Sequence, residues 1–419
     1  MALLSLAARS LLNRWGTAVL VVLSLALSVT LLLGVERLRE QVRDSFASTV
    51  SGVDLIVGAR SGPLNLLLYS VFRMGEPTAN VSWSSVSDLA NHPSVDWVVP
   101  LSLGDSHRGF RVLGTSTVYF DRYQYGRGQQ LVLAQGSRFD DLFDAVLGAN
   151  VATRLGYSIG DEIIVAHGAG DVSFVEHGDK PFTVVGILAP TGTPVDNTVH
   201  VSLEATEAIH ADWMAGAPVP GMRLTSEQVR QRDLTPRSVT AVMVGLKSRV
   251  AVFQVQRMVN NYREEALMAI IPGVALHQLW KMMAVAENAL ALVAWMVLLV
   301  ALVVMLTALL TALNERRREM AILRALGARS WQIFALIIGE SLLLTLLGVV
   351  AGVLLLQGVS WVAAPLVSAQ LGLALSIWPP SAKEFILIGI VILAGMVAGL
   401  WPAWRAYRQS LADGLGTRL

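Results

Sequence analysis

Four long apolar runs, each long enough to cross a bilayer, constrain this chain more than any other feature. A helix needs about 20 such residues to span the hydrocarbon core. The first run, "GTAVLVVLSLALSVTLLLGV", covers residues 16–35, and the second, "ALALVAWMVLLVALVVMLTALLTAL", covers 289–313. The third covers 334–356 and the fourth 385–401. With 54% hydrophobic and 15% charged residues, against about 25% charged in a soluble domain, the composition is that of a membrane protein. The first run is too long for the core of a signal peptide and has no small-x-small site before Glu36, so it reads as an uncleaved anchor.

Orientation follows from Lys and Arg in the short flanks. Arg9 and Arg14 precede the first run; Arg316, Arg317, Arg318, Arg324 and Arg329 lie between the second and third; Arg405, Arg408 and Arg418 follow the fourth. The segment between the third and fourth runs carries only Lys383. Both termini and the 314–333 segment are therefore expected in the cytoplasm, and the long stretch after the first run outside, in a bacterial periplasm. The expected fold is a membrane protein with four transmembrane α-helices and a large α+β periplasmic domain inserted between helices 1 and 2. Its divisions are 1–35 (cytoplasmic N-terminal helix and first span), 36–287 (periplasmic domain), 288–313 (second span), 314–333 (cytoplasmic segment), 334–356 (third span), 357–384 (periplasmic loop), 385–402 (fourth span) and 403–419 (cytoplasmic tail).

The outside region alternates strand-like and helical stretches. Residues 53–60, 162–168, 181–188 and 238–246 are rich in β-branched residues and bounded by Gly, Pro or Asp. Residues 248–266 read as helix, and the Gly- and Pro-rich stretch 215–238 as a linker or flexible loop. The run "PLNLLLYSVF" (63–72) is too short to span; it reads as buried core or a subunit contact. Its Leu64, Leu66, Leu67, Leu68, Tyr69 and Phe72 are candidates for substrate or partner contact, were that apolar surface exposed.

Several chemistries are excluded. The absence of cysteine rules out disulfides, thiolate nucleophiles and Cys-held metals. The net charge of +1 gives no reason to expect nucleic acid. No G-x-S-x-G, H-E-x-x-H or phosphate-cradling G-x-x-x-x-G-K-[ST] occurs, so no catalytic residues are assigned and any ATP must be bound by another chain. All seven histidines, His92, His107, His167, His177, His200, His210 and His277, lie in the outside region. None pairs at a spacing that pre-aligns metal ligands, so they are expected to be scattered structural histidines with no metal site.

Between the second and third runs lies "NERRREMAILRALGARSWQI" (314–333), basic and yet apolar at helical spacing through Met320, Ile322, Leu323 and Leu326. Its core, "ERRREMAILRALGA", resembles the E-R-x-x-E-[IM]-[GA]-[IV]-L-[RK]-A-[LI]-G-A pattern of the FtsX/MacB superfamily of ABC transporter permeases. "PAWRAYRQSLADGL" (402–415) resembles that family's closing segment. The runs at 95–102, 110–116, 145–163 and 182–203 resemble a MacB-type periplasmic domain; residues 58–83 have no counterpart in the pattern.

The resemblance implies a permease subunit without enzymatic activity or cofactor of its own, the ATP and Mg being held by a partner ABC ATPase. It implies that Glu315, Arg316, Glu319, Met320, Ile322, Leu323, Arg324, Leu326 and Gly327 form a coupling helix docking on that ATPase. It also implies a permease homodimer with two ATPases in the inner membrane, with membrane lipid and a periplasmic or lipoprotein partner as further contacts. Export or extraction of a lipoprotein, peptide, lipid or small molecule is the expected function. The alternative is a non-transporting signalling complex that regulates a periplasmic partner such as a cell-wall hydrolase. Glu340 is the intramembrane polar residue of note, near the cytoplasmic end of the third run, where it could snorkel or bond a neighbouring helix.

Overall fold

The computed structural model describes residues 14–49, 51–126, 128–168, 175–176, 178–214, 217–218, 224–371 and 380–408. The chain divides into two compact units, a helical one (1–41, 284–365 and 375–419) and an α/β one (42–283 and 366–374). The four apolar runs are all helical, and each helix outlasts its run. Helix α1 is Trp15–Ser48, 34 residues, about 51 Å at 1.5 Å per residue. In chain order after it come α2 (Pro63–Phe72), α3 (Trp83–Ala90), α4 (Val118–Arg122), α5 (Ala149–Leu155), α6 (Leu203–Ile209), α7 (Ser226–Arg230) and α8 (Val252–Asn260). The other long helices are α9 (Pro272–Glu315), α11 (Ser330–Leu371) and α12 (Ala382–Arg408), with the short α10 (Arg317–Ala325) between α9 and α11. Four of these are long and apolar enough to cross a membrane.

The α/β unit is built on a mixed 12-stranded sheet. Its strands are β1 (Leu55–Ala59), β2 (Val95–His107), β3 (Phe110–Thr115), β4 (Leu133–Gly136), β5 (Asp144–Leu147), β6 (Glu162–Ile163), β7 (Ala166–His167), β8 (Val175–Glu176), β9 (Phe182–Leu188), β10 (Thr198–Ser202), β11 (Ala241–Leu246) and β12 (Leu267–Ile270). The order is β12-β1-β11-β2-β3-β10-β5-β9-β4, with β7 paired to β2 and β8, and β6 to β9. Among the described strand pairs, only β10 with β3 and β9 with β5 run parallel. The central strands β1, β10 and β11 are buried almost throughout, as strands covered on both faces must be.

Three of the predicted elements differ in detail. Residues 162–168 split into β6 and β7, which pair with different neighbours. The expected helix 248–266 narrows to α8, preceded by a 3-10 turn at Arg249–Ala251. The expected loop 215–238 contains α7, started by a capping box in which Thr225 and Gln228 each accept the other's backbone N–H.

The run 63–72 is a core helix. Leu66, Leu67, Tyr69 and Phe72 of α2 are buried in a cluster with Ile56, Val99, Leu101, Met243 and Ile270. Contact of these four side chains with an outside substrate or partner is therefore corrected: they are spent on the core. Leu64 and Leu68 are half-buried. The seat requires Gly58 on β1, where a Cβ would lie 2.5 Å from Leu66 Cδ1 and 2.7 Å from Tyr69 Oη. Tyr69 Oη donates to the Thr240 carbonyl at 3.3 Å, and burial pushes its pKa up to about 12.

Candidate functional site

The segment 314–333 folds as a helix, an elbow and a helix start. Leu326 donates its N–H to the Ile322 carbonyl, and Gly327 takes φ 95°, a left-handed conformation that glycine reaches without strain and that commonly ends helices. Helix α11 then begins with the Arg329 N–H donating to Gln332 Oε1 at 2.8 Å, one half of a capping box. Ser330 is the first residue of that helix, and its hydroxyl accepts from Arg324 Nη2 at 2.6 Å.

The apolar residues of this segment divide into two sets. Met320 is buried with Leu313, Ile333, Ile337, Ala403 and Ala406, which anchors α10 to the ends of α9, α11 and α12. Ile322 and Leu326 are 55% and 81% exposed. The side chains of Glu319 and Leu323 lie outside the described residues. Two ion pairs fix the start of the segment: Arg14 with Glu315, and Arg316 with Glu340 at 3.6 Å. Glu340, buried at 5% exposure, thus bonds across to the residue that opens α10.

A second polar knot lies at the other end of the helical unit. The Arg37 guanidinium donates to both Glu384 oxygens, at 2.9 and 2.7 Å, and to Gln357 Oε1 at 2.8 Å, joining α1, α11 and α12. Its side chain and that of Glu384 are 9% and 5% exposed. Around it, Arg39 pairs with Glu287 at 2.8 Å, and Lys383 with Glu40 at 3.1 Å and Glu36 at 3.5 Å. The sequence reading missed this knot, because each charge sits just beyond an apolar run and the partners are hundreds of residues apart.

Between the two ends, the described helix contacts are apolar except for a few hydroxyls. Thr30 Oγ1 reaches the Gly352 carbonyl at 3.0 Å and Ser341 Oγ the Gly395 carbonyl at 3.0 Å. Glycines let the helices approach this closely, as at small-x-x-x-small contacts in membranes. A Cβ on Gly395 would lie 2.1 Å from Thr345 Oγ1, one on Gly399 2.3 Å from Ser341 Oγ, and one on Gly348 2.5 Å from Leu25 Cβ.

The α/β unit corrects the expectation of scattered histidines. Asp105 on β2, His167 on β7 and His210, which caps α6, converge: His167 Nδ1 is 3.1 Å from Asp105 Oδ1, and His210 Nε2 is 3.3 Å from His167 Nδ1. The hydrogen bond to Asp105, with its charge, holds His167 above the usual imidazole pKa despite partial burial. Burial lowers His107 and takes His200 down to about 3. His177 lies outside the described residues. Spacing rules could not find the cluster, whose members are 62 and 43 residues apart and meet only through sheet pairing.

A family model described as MacB-like periplasmic core domain matches residues 15–262, and one described as FtsX-like permease C-terminal matches 291–411. An uncharacterized ABC transporter permease, YknZ, of Bacillus subtilis strain 168 is 32% identical over 138 residues, 32% of this chain and 32% of that protein. The macrolide export ATP-binding/permease protein MacB of Syntrophobacter fumaroxidans is 30% identical over 119 residues, 28% of this chain and 15% of that protein. Only part of each relative is therefore spanned. Among solved structures, the periplasmic region of MacB from Actinobacillus actinomycetemcomitans aligns at 12% identity and a TM-score of 0.34, over 54% of this chain and 94% of that one. The extracellular domain of YknZ from Gram-positive bacteria aligns at 13% and 0.32, over 52% and 98%.

Proposed function

The chain belongs to the family of the MacB-like periplasmic core domain, joined here to an FtsX-like permease C-terminal region, and from that premise we propose that it is the permease subunit of an ABC transporter complex in a bacterial inner membrane. In this reading a separate ATPase chain binds and hydrolyses ATP with Mg. Its closure is passed through α10 to the long helices and so to the α/β unit, which exports or extracts a lipoprotein, peptide, lipid or small molecule. Two permeases and two ATPases form the working assembly, with α10 and both termini in the cytoplasm and the α/β unit in the periplasm.

The observation that carries the reading is the two-sided α10. Met320 and the Arg316–Glu340 pair hold it to the helical unit, while Ile322 and Leu326 face outward. That is the arrangement of an amphipathic helix laid in a partner's groove, with the force-bearing contacts on the opposite face. The apolar middle of the helical unit supports a role in transmitting motion, since a continuous path for a polar solute would need a polar or wide lining.

The test is co-purification with an ABC ATPase co-expressed with this chain. Leu326→Asp must bring a charge into the docking groove, where its desolvation costs several kcal/mol, and should abolish the complex while the permease still folds. Retention of the ATPase and of full ATPase stimulation by this variant would overturn the docking role. Stimulation without any transported or extracted cargo would favour the signalling alternative.

A further inference from the structure

We propose that Asp105, His167 and His210 form a three-donor site for a transition-metal ion of borderline softness, Zn2+ foremost, with the fourth coordination position left to water or an incoming ligand.

The distances carry the proposal. Four ligands at about 2.0–2.1 Å around Zn2+ stand about 3.3–3.4 Å from one another along the edges of a tetrahedron. The three donor atoms here are separated by 3.1, 3.3 and 3.6 Å: His167 Nδ1 to Asp105 Oδ1, His210 Nε2 to His167 Nδ1, and His210 Nε2 to Asp105 Oδ1. They are thus one triangular face of such a tetrahedron. The donors need little movement to admit an ion.

The protonation pattern agrees. His210 Nδ1 lies 2.8 Å from the Thr206 carbonyl, an acceptor only, so Nδ1 carries a proton and Nε2 is the nitrogen turned toward the other two residues. A backbone carbonyl on the far ring nitrogen is the usual support of a metal-bound histidine, because it fixes both tautomer and ring orientation. The Asp105 carboxylate also presents a lone pair.

The site is built and reachable. Asp105 is 5% exposed and held within β2, and the pairing of His167 opposite Asp105 in the β7–β2 register fixes their relation. The His167 and His210 side chains are 43% and 29% exposed, and His167 also lines a cleft of about 270 Å³, so an ion can enter and a fourth ligand can join it. Two imidazoles and one carboxylate suit Zn2+ and its neighbours rather than Mg2+ or Ca2+, which want an oxygen shell. Bound there, the ion would tie the end of α6 to β2 and β7.

Full-length protein in detergent, stripped with a chelator, is titrated with Co2+ alone. The expected result is one Co2+ per chain with the intense visible absorption of a four-coordinate centre, displaced by stoichiometric Zn2+ but not by excess Mg2+. His210→Gln and His167→Ala should weaken binding by more than about 100-fold, beyond the 10–100-fold that loss of an outer-shell partner costs. His277→Ala, at an exposed histidine elsewhere, should bind as before. Absence of a saturable Co2+ spectrum in the wild-type protein, or a spectrum that survives His167→Ala, overturns the proposal without reference to transport.

Discussion

Replacing Glu384 by Ala leaves the Arg37 guanidinium buried with Gln357 as its remaining described partner, and this is the perturbation the helical unit is expected to tolerate least. Arg37 gives Glu384 two charge-assisted hydrogen bonds, at 2.9 and 2.7 Å, with both side chains under a tenth exposed. Removing one member of such a pair costs about 3–5 kcal/mol, because the other charge stays desolvated. At about 2–4 °C per kcal/mol, the unfolding midpoint of detergent-solubilised protein should fall by about 6–20 °C. The double variant Arg37→Met with Glu384→Leu should recover most of the loss, since an apolar pair of similar volume is often neutral. Thermal unfolding of the wild type, Arg37→Met, Glu384→Leu and their double variant, followed by helical circular dichroism, gives the coupling directly. Additive effects, or a Glu384→Ala shift below about 2 °C, would refute the view that this knot clamps α1 to α12.

Gly395→Leu should destabilise the protein by about 2 kcal/mol or more through overpacking against Thr345, whereas Gly389→Ala, where a Cβ meets nothing within 4 Å, should be neutral; equal yields of folded protein for both would contradict the close α11–α12 approach. Gly58→Ala should likewise be destabilising, because α2 must lift from β1, and limited proteolysis between residues 58 and 83 would report it. The buried His200 titrates near 3 in the folded state against about 6.5 unfolded. Its contribution is therefore complete above pH 6.5 and is lost by about 1.4 kcal/mol per pH unit below it, offset in part by His167, whose pKa is raised. Unfolding midpoints between pH 7.5 and 5 should fall, and His200→Leu should flatten the slope; an unchanged slope would place the acid sensitivity elsewhere.

The membrane helices were legible because hydrocarbon imposes a length on an apolar run, and "GTAVLVVLSLALSVTLLLGV" meets it without interruption. Their true ends were not. Hydropathy registers only sustained apolar runs, so the continuation of α1 through "ERLREQVRDSFAS" and the start of α9 at Pro272 are invisible to it. Strands such as 182–188 announced themselves through β-branched residues and a proline boundary. The candidate sites divide the same way. Residues near one another in sequence, as from Glu315 to Gly327, showed their helical face, yet not that Met320 turns inward while Leu326 turns out, which depends on Ile337 and Ala403 from other helices. Asp105, His167 and His210, and likewise Arg37 and Glu384, are brought together by tertiary pairing, which no local pattern encodes.

The Arg37–Glu384 bridge joins residues 347 positions apart, and that separation sets an order of biogenesis. At about 5–20 residues per second, a ribosome that has made Arg37 works for roughly 20–70 s before it makes Glu384. Through that interval α1 is in the membrane with its guanidinium at the edge of the apolar run, kept hydrated by snorkelling to the interface, while the α/β unit is synthesised and folds. The helical unit therefore closes last. A ribosome stalled before the fourth span should leave a chain whose α/β unit is complete and whose first helix is unclamped, the state a membrane quality-control protease is best placed to recognise.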